Sequence, residues 1–376
     1  MTLTEDQAML KDSVAPFLAE NAPVAHLRSL RDSDDATGFS RDLWKQFAEM
    51  GFTGILIPEA DGGLGLGHVE AGIVLEEIGR NLSPSPFLST AVAAVEALKA
   101  GGAHHREAWF PRILSGDATV ALAIDEGSKH KPQATALAAE RSGNGFRLNG
   151  KKAFVVGGHA ADLLLVAART GGSTDEDVGL TLFAVPRDAE GLSTDPQRLV
   201  DSSLASDVRF DGVEVTADAV VGEVDDGWGV LTKLLDAGRT GAAAELVGVG
   251  CGAMDMTFDY IKQRKQFGRV IGEFQALQHR AAHLYAEIEA ARSVVLKAQN
   301  LLDEGAAHAD IYVAAAKAKA GLATNLAVRE GVQMHGGMGM TDAFDIGLYM
   351  KRDRALNEFM GDPWFHADRV AAMNGY

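Results

Sequence analysis

Two short segments hold the residues best suited to chemistry. The first, Tyr260-Ile261-Lys262-Gln263-Arg264-Lys265-Gln266-Phe267-Gly268, continues through Ile271, Phe274, Gln275 and Gln278 and sets basic, amide and aromatic side chains around one glycine. Read plainly, it is a helix ending at a basic turn before a new helix. The second, Gln333-Met334-His335-Gly336-Gly337-Met338-Gly339-Met340-Thr341, places three glycines where backbone can approach a ligand and free N–H groups can meet phosphate oxygens. A glycine-rich helix connector reads equally well.

Other arrangements lose on spacing. His279 and His283 stand at i, i+4, but Arg280 occupies the place where a zinc protease needs Glu, and no third ligand is evident. Their expected role is at a surface or interface, with no metal. Gly248-x-Gly250-x-Gly252 lies inside a helical stretch with no preceding strand, so it is not a phosphate loop. There is no G-x-S-x-G elbow and no Walker A loop, which weakens hydrolase and nucleotide-triphosphatase readings.

The elements that must position these groups follow from periodicity. Thr4 and Gln7 form a capping box ahead of Leu10, Val14, Phe17 and Leu18, one face of a helix. A second helix is expected after Ser40, with Leu43, Trp44, Phe47 and Met50 inward and Gly51 at its end. The glycine-dense loop 61–67 precedes a helix carrying Val69, Ile73 and Ile78. From about 117 to 222 the texture becomes β: short runs at 120–124, 146–148, 153–156, 163–167, 180–185 and 207–210. Turn signals separate them, Ser142-Gly143-Asn144-Gly145 and Asn149-Gly150 among them, and the latter favours a type I′ hairpin turn. Helical period then returns at about 229–263, 272–303, 308–335 and 343–357. The expected fold is α+β and multidomain: an N-terminal helical domain (1–116), a central β domain (117–226) and a C-terminal four-helix bundle (227–376). No βαβ alternation is present, which excludes a doubly wound nucleotide fold.

Composition bounds the partners. The 376 residues carry a formal charge of −17, which opposes phosphate backbones and anionic membrane surfaces, so nucleic acid is not an expected partner. No apolar stretch reaches the ~18 residues of a membrane span, and the N-terminus lacks a basic n-region and an apolar h-region. Cys251 is the only cysteine, so no internal disulfide forms and a reducing compartment, the cytoplasm, is expected.

Taken together and in order, these segments resemble the acyl-CoA dehydrogenase superfamily. The resemblance runs through Pro58–Leu66, Leu148-Asn149-Gly150-Lys151-Lys152, 161–169, R-x-Q-F-G at 264–268, F-Q-x-x-Q at 274–278 and H-G-G-x-G-x-T at 335–341. It implies oxidation of an acyl-CoA to the 2-enoyl-CoA: a carboxylate takes the α-proton while the β-hydride passes to FAD, in a dry site that polarises the thioester oxygen. Electrons then leave to an electron-transfer flavoprotein. By the same resemblance Arg264, Gln266, Phe267, Gln333, Gly336 and Gly337 hold the ADP part of FAD, that of a neighbouring subunit. Arg264 suits pyrophosphate by charge and fork geometry. Asp236 and Arg239 match substrate-contacting positions.

The departures are specific. Where relatives carry a T-E-P-x-x-G-S-D-like stretch and a W-I-T/S-like stretch, this chain has Ile124-Asp125-Glu126-Gly127-Ser128-Lys129-His130 and Phe154-Val155-Val156; Val156 lacks a hydroxyl for the flavin ring. The usual base position holds Met360, which cannot take a proton, and the alternative holds Gly238. Glu245, two turns along the same helix face, is the remaining candidate for the catalytic base, unless it pairs with a basic neighbour; Asp362 is a weaker one. The ending resembles the branch that pairs unlike subunits in α2β2 assemblies acting on steroid side-chain or other bulky acyl-CoAs. Three outcomes follow: a dehydrogenase in a homo-oligomer or heterotetramer, a non-catalytic partner completing another chain's FAD site, or a flavin monooxygenase or oxidase of the same fold.

Overall fold

A computed structural model describes residues 3–174 and 176–376. In chain order the N-terminal helices are α1 (Glu5–Asn21), α2 (Val24–Asp32), α3 (Arg41–Glu49), α4 (His68–Asn81), α5 (Val95–Ala100, entered through a π-helical stretch Leu88–Ala94) and α6 (Ala103–Leu114). The strands follow: β1 (Val120–Ala123), β2 (Ala138–Ser142), β3 (Gly145–Val156), β4 (Leu163–Arg169), β5 (Leu180–Pro186), β6 (Leu192–Arg198), β7 (Leu204–Thr216) and β8 (Val220–Val221). Then come α7 (Trp228–Gln263), the small strands β9 (Lys265–Gln266) and β10 (Arg269–Val270), α8 (Gln275–Asp303), α9 (Ala309–His335), α10 (Ile346–Glu358) and α11 (Pro363–Met373). No helix among the described residues is long and apolar enough to cross a membrane.

Packing divides the chain into two compact units that do not follow chain order. One comprises residues through Asp32, Gly67–Pro84 and Arg239–Tyr376; the other comprises Ser33–Leu66 and Ser85–Gly238. The N-terminal helices are thus shared out, α1, α2 and α4 to the helical unit and α3, α5 and α6 to the β unit.

In the β unit the sheet order is β6-β7-β3-β2-β4-β5-β8, with β1 parallel to β4. β4 and β5 are buried along almost their whole length, as their runs of Leu, Val and Ala require. Phe146 and Phe183 meet edge to face, 5.2 Å apart, in the core. The Asn149-Gly150 pair is not a hairpin turn. It lies inside β3, which runs through it with a register shift between Leu148 and Gly150, and the Asn149 side chain accepts a hydrogen bond from the Gly212 N–H. The hairpin turn is instead Gly143-Asn144, between Ser142 and Gly145. β6 escapes periodicity because it is polar and largely exposed, paired on one side only with β7.

In the helical unit Thr4 and Gln7 make the expected capping box, and Val14 and Leu18 are buried. The glycine run in α7 has a packing cause. A Cβ on Gly248 would lie 1.9 Å from the Glu76 carbonyl oxygen of α4, and a Cβ on Gly79 would lie 2.1 Å from the Glu245 carbonyl oxygen. The two helices cross backbone against backbone, and only glycine allows it. A further helix, α11, follows the four expected ones, with Asp362 as its N-cap accepting from the Phe365 N–H at 2.8 Å.

Candidate functional site

The first segment is built at the end of α7. Arg264 N–H still donates to Tyr260 O at 2.9 Å, after which β9 and β10 form a minimal hairpin whose two turn residues, Phe267 (φ 54°) and Gly268 (φ 78°), are both left-handed. Such a two-residue turn favours Asn-Gly; a phenylalanine there is strained. Phe267 is also 91% exposed, with its ring 6.2 Å from Phe274. Arg264 and Gln266 are exposed beside it. An exposed, strained aromatic next to an exposed guanidinium is poor for stability and suited to gripping a flat, anionic ligand.

The second segment begins where α9 ends. Gly336 turns left-handed at φ 60°, and a Cβ on Gly336 or Gly337 would meet nothing within 4 Å, so the turn is open on its outer side. Gln333 is exposed and one turn earlier. The two segments are joined underneath. Tyr260 stacks on His335 (centroids 4.3 Å, interplanar 25°), its hydroxyl donates to the His335 carbonyl at 3.4 Å, and Phe344 meets both rings edge-on. His335 is 2% exposed and its Nδ1 faces the Gly331 carbonyl at 2.7 Å, so Nδ1 carries the proton and burial keeps the ring neutral. The sequence places Tyr260 and His335 within the two segments but gives neither a role, and nothing in it pairs them.

A third cluster surrounds the turn after α10. Met360 is buried in a left-handed conformation (φ 57°), followed by Gly361 at φ 107°. The Met360 carbonyl accepts from Arg239 Nε at 3.4 Å and from His366 Nε2 at 3.1 Å. Lys317 of α9, fully buried, donates through Nζ to the carbonyls of Leu356 (3.2 Å), Asn357 (3.1 Å) and Gly361 (3.1 Å). Burial pushes its ammonium down to about 7, with the nearby Arg239 adding to the fall. Burial likewise takes His366 down to about 2 and lifts Asp353 to about 6. Arg239 is therefore buried against backbone, its guanidinium 5.8 Å from the Phe365 ring, and Asp236 is buried on the same helix. The signal for Lys317 was present in the sequence: it is a cation in the run Ala314-Ala315-Ala316-Lys317-Ala318.

Glu245 is 2% exposed and ion-paired. Arg352 of α10 reaches its Oε1 through Nε at 2.9 Å and Nη2 at 2.5 Å. This is the pairing the sequence allowed as the alternative to a free base. His279 and His283 are both exposed on α8.

In the β unit, the stretch after β1 satisfies itself. Glu126 accepts from the N–H groups of Ala136 and Leu137, each at 2.9 Å, and from buried Lys152 Nζ at 2.8 Å; Asp125 holds His130 Nδ1 at 2.8 Å and the Lys131 N–H at 3.1 Å. Phe154 sits at a register shift of β3 with φ 54° and is 56% exposed. It is the second strained, outward aromatic of the molecule.

A helical N-terminal region, a central sheet and C-terminal helices bearing an arginine hairpin and a glycine turn define a three-part flavoprotein-dehydrogenase architecture. Residues 4–117, 124–213 and 225–372 match, respectively, the N-terminal, middle and C-terminal domains of acyl-CoA dehydrogenase. The chain belongs to the acyl-CoA dehydrogenase family. It is 32% identical over 364 residues to acyl-CoA dehydrogenase FadE12 of Mycobacterium tuberculosis, covering 93% of this chain and 91% of that protein. It is 32% identical over 368 residues to the mitochondrial isovaleryl-CoA dehydrogenase of Pongo abelii, covering 95% and 85%. Among solved structures, it superposes on a chain of the ChsE4-ChsE5 complex from Mycobacterium tuberculosis with a TM-score of 0.88 and 26% identity, covering 100% of this chain and 99% of that one.

Proposed function

We propose that this chain works in the FAD-dependent α,β-dehydrogenation of an acyl-CoA thioester, as one subunit of an assembly whose α-proton base is carried by a homologous chain. The observation that carries the partner role is the state of the four base positions. Met360 has no acid–base group, Gly238 has no side chain, Glu245 is held by Arg352, and Asp362 is engaged as the N-cap of α11. We take the three segments 1–116, 117–226 and 227–376 as its domains, an electron-transfer flavoprotein as its electron acceptor and the cytoplasm as its compartment.

The residues of the helical unit fit the adenylate end of FAD: an exposed Arg264 for the pyrophosphate with Gln266 and Phe267 in the same hairpin, Phe267 for a flat ring, and open backbone at Gly336 and Gly337 after Gln333. When bound, FAD supplies the acceptor for the β-hydride. The protein must hold the cofactor, orient the acyl-CoA and exclude water. On this reading Asp236 and Arg239 contribute to substrate binding, Arg239 through the buried turn whose Met360 carbonyl it holds.

The test is the absorbance spectrum of the chain purified alone and then together with any homologous chain that co-purifies, followed by anaerobic titration with acyl-CoAs. A chain that is colourless or fails to bleach alone, and bleaches stoichiometrically in the assembly, supports the reading. Stoichiometric FAD that an acyl-CoA bleaches in the chain alone overturns the partner role and returns Glu245 as the base.

A further inference from the structure

The glycine turn at Gly336–Met340 carries three glycines in five residues, and glycine gives up more backbone freedom than any other residue when it is ordered. A turn of this composition keeps one shape only if both ends are pinned. The entrance is pinned by packing, through the buried His335 between Tyr260 and Phe344. The exit is pinned by charge. Asp342 takes a bidentate grip from Arg31, Nη1 to Oδ1 at 2.8 Å and Nη2 to Oδ2 at 2.9 Å. Arg28 adds Nη1 to Asp342 Oδ2 at 3.1 Å, Nη2 to the Asp342 carbonyl at 2.8 Å, and Nε to Asp345 Oδ1 at 2.7 Å. Asp345 is itself the N-cap position of α10. Two arginines one turn apart on α2, more than 300 residues away in sequence, thus clamp Asp342 and Asp345, within the five residues that follow the glycine turn.

We propose that Arg28 and Arg31 are positioning residues for the cofactor: through Asp342 and Asp345 they hold the glycine turn in the shape that receives the adenylate end of FAD. The inference rests on the proposed FAD cradle and deepens it. Neither arginine needs to touch the ligand. Asp342 is 60% exposed at its side chain, so the clamp is strong only as a multidentate network and weakens with salt, whereas the His335 pin does not. The clamp is worth little to global stability and more to the shape of one loop.

The experiment measures FAD affinity of the full chain, in the assembly if one co-purifies, by fluorescence titration at low and high NaCl, with thermal unfolding alongside. Asp342→Asn and Arg31→Lys are compared with the parent, and Arg264→Ala serves as the cradle control. The expected result is a roughly 5-fold loss of FAD affinity in Asp342→Asn at low salt, vanishing at high salt, with the melting temperature little changed. Arg31→Lys, which keeps the charge and loses the fork, falls between. If Arg264→Ala sheds FAD while both clamp variants bind like the parent, the positioning role is overturned and the cradle stands. If Arg264→Ala also keeps its FAD, the cradle reading fails and the inference falls with it. A clamp variant whose affinity loss persists at high salt, or follows a drop in melting temperature, also overturns the proposal, since the effect then comes from general loosening.

Discussion

Replacing Lys317 by methionine should change how stability depends on pH. In the folded chain the ammonium is fully buried, with three carbonyl oxygens taking its three protons, and its pKa falls from 10.5 to about 7. The unfolded chain therefore holds a proton on this residue between pH 7 and 10.5 that the folded chain has given up. Where the unfolded state binds more protons, stability rises with pH, so the wild type gains stability from pH 7 toward 10.5. The slope approaches about 1.4 kcal/mol per pH unit, and the gain between pH 7 and 10 is about 3 kcal/mol. Burial sets the fall; Arg239 adds to it while Asp353, Asp362 and Glu358 oppose it, and all four remain in the variant. Cys251, raised to about 11, acts in the opposite direction above pH 9 and is common to both proteins. Urea denaturation at pH 7, 8, 9 and 10, wild type against Lys317→Met, isolates the residue as the difference between two curves. A wild type that gains on the variant by about 3 kcal/mol supports the buried, depressed ammonium. Parallel curves would refute it, whatever their vertical offset.

Glu245→Gln should cost about 2–4 kcal/mol in urea unfolding, because it replaces the buried carboxylate facing the Arg352 guanidinium with a neutral amide. Turnover per folded assembly should stay within a few-fold of the parent, and a loss of ~100-fold would instead make Glu245 the base. Gly248→Ala should yield little soluble protein, since its methyl would sit 1.9 Å from the Glu76 carbonyl oxygen; a normal melting curve would contradict the close crossing of α4 and α7. Phe267→Gly should raise thermal stability slightly by relieving a left-handed phenylalanine while lowering FAD affinity, and a variant unchanged in both would remove Phe267 from the cradle.

Much of the architecture was legible because it rests on local patterns: the Thr4–Gln7 box, the four long C-terminal helices, and the all-apolar strands β4 and β5. Asn149-Gly150 misled because a dipeptide suited to a tight turn is equally suited to a register shift within a strand, and the choice was made by pairing with β7, some 60 residues away. β6 and β2 were missed for lack of apolar alternation, being partly or largely exposed strands. In the candidate site, Arg264 and the glycines stood out by type and order. What stayed hidden were the supports, since the Tyr260–His335 stack, the Lys317 tripod and the Arg28/Arg31 clamp each join residues that only tertiary packing brings together.

The helical glycines also divide into two engineering classes. Exchanging glycine for alanine within helices is a common route to thermostability, because alanine has less freedom to lose on folding. At Gly79, Gly248 and Gly252 that route is closed, as each added methyl would strike the backbone of another helix at 1.9–2.6 Å. At Gly229 and Gly347, near the starts of α7 and α10, nothing lies within 4 Å, and the same exchange should be tolerated or mildly stabilising. A consensus-driven stabilisation campaign that treats all of them alike would lose at the helix crossing more than it gained at the ends.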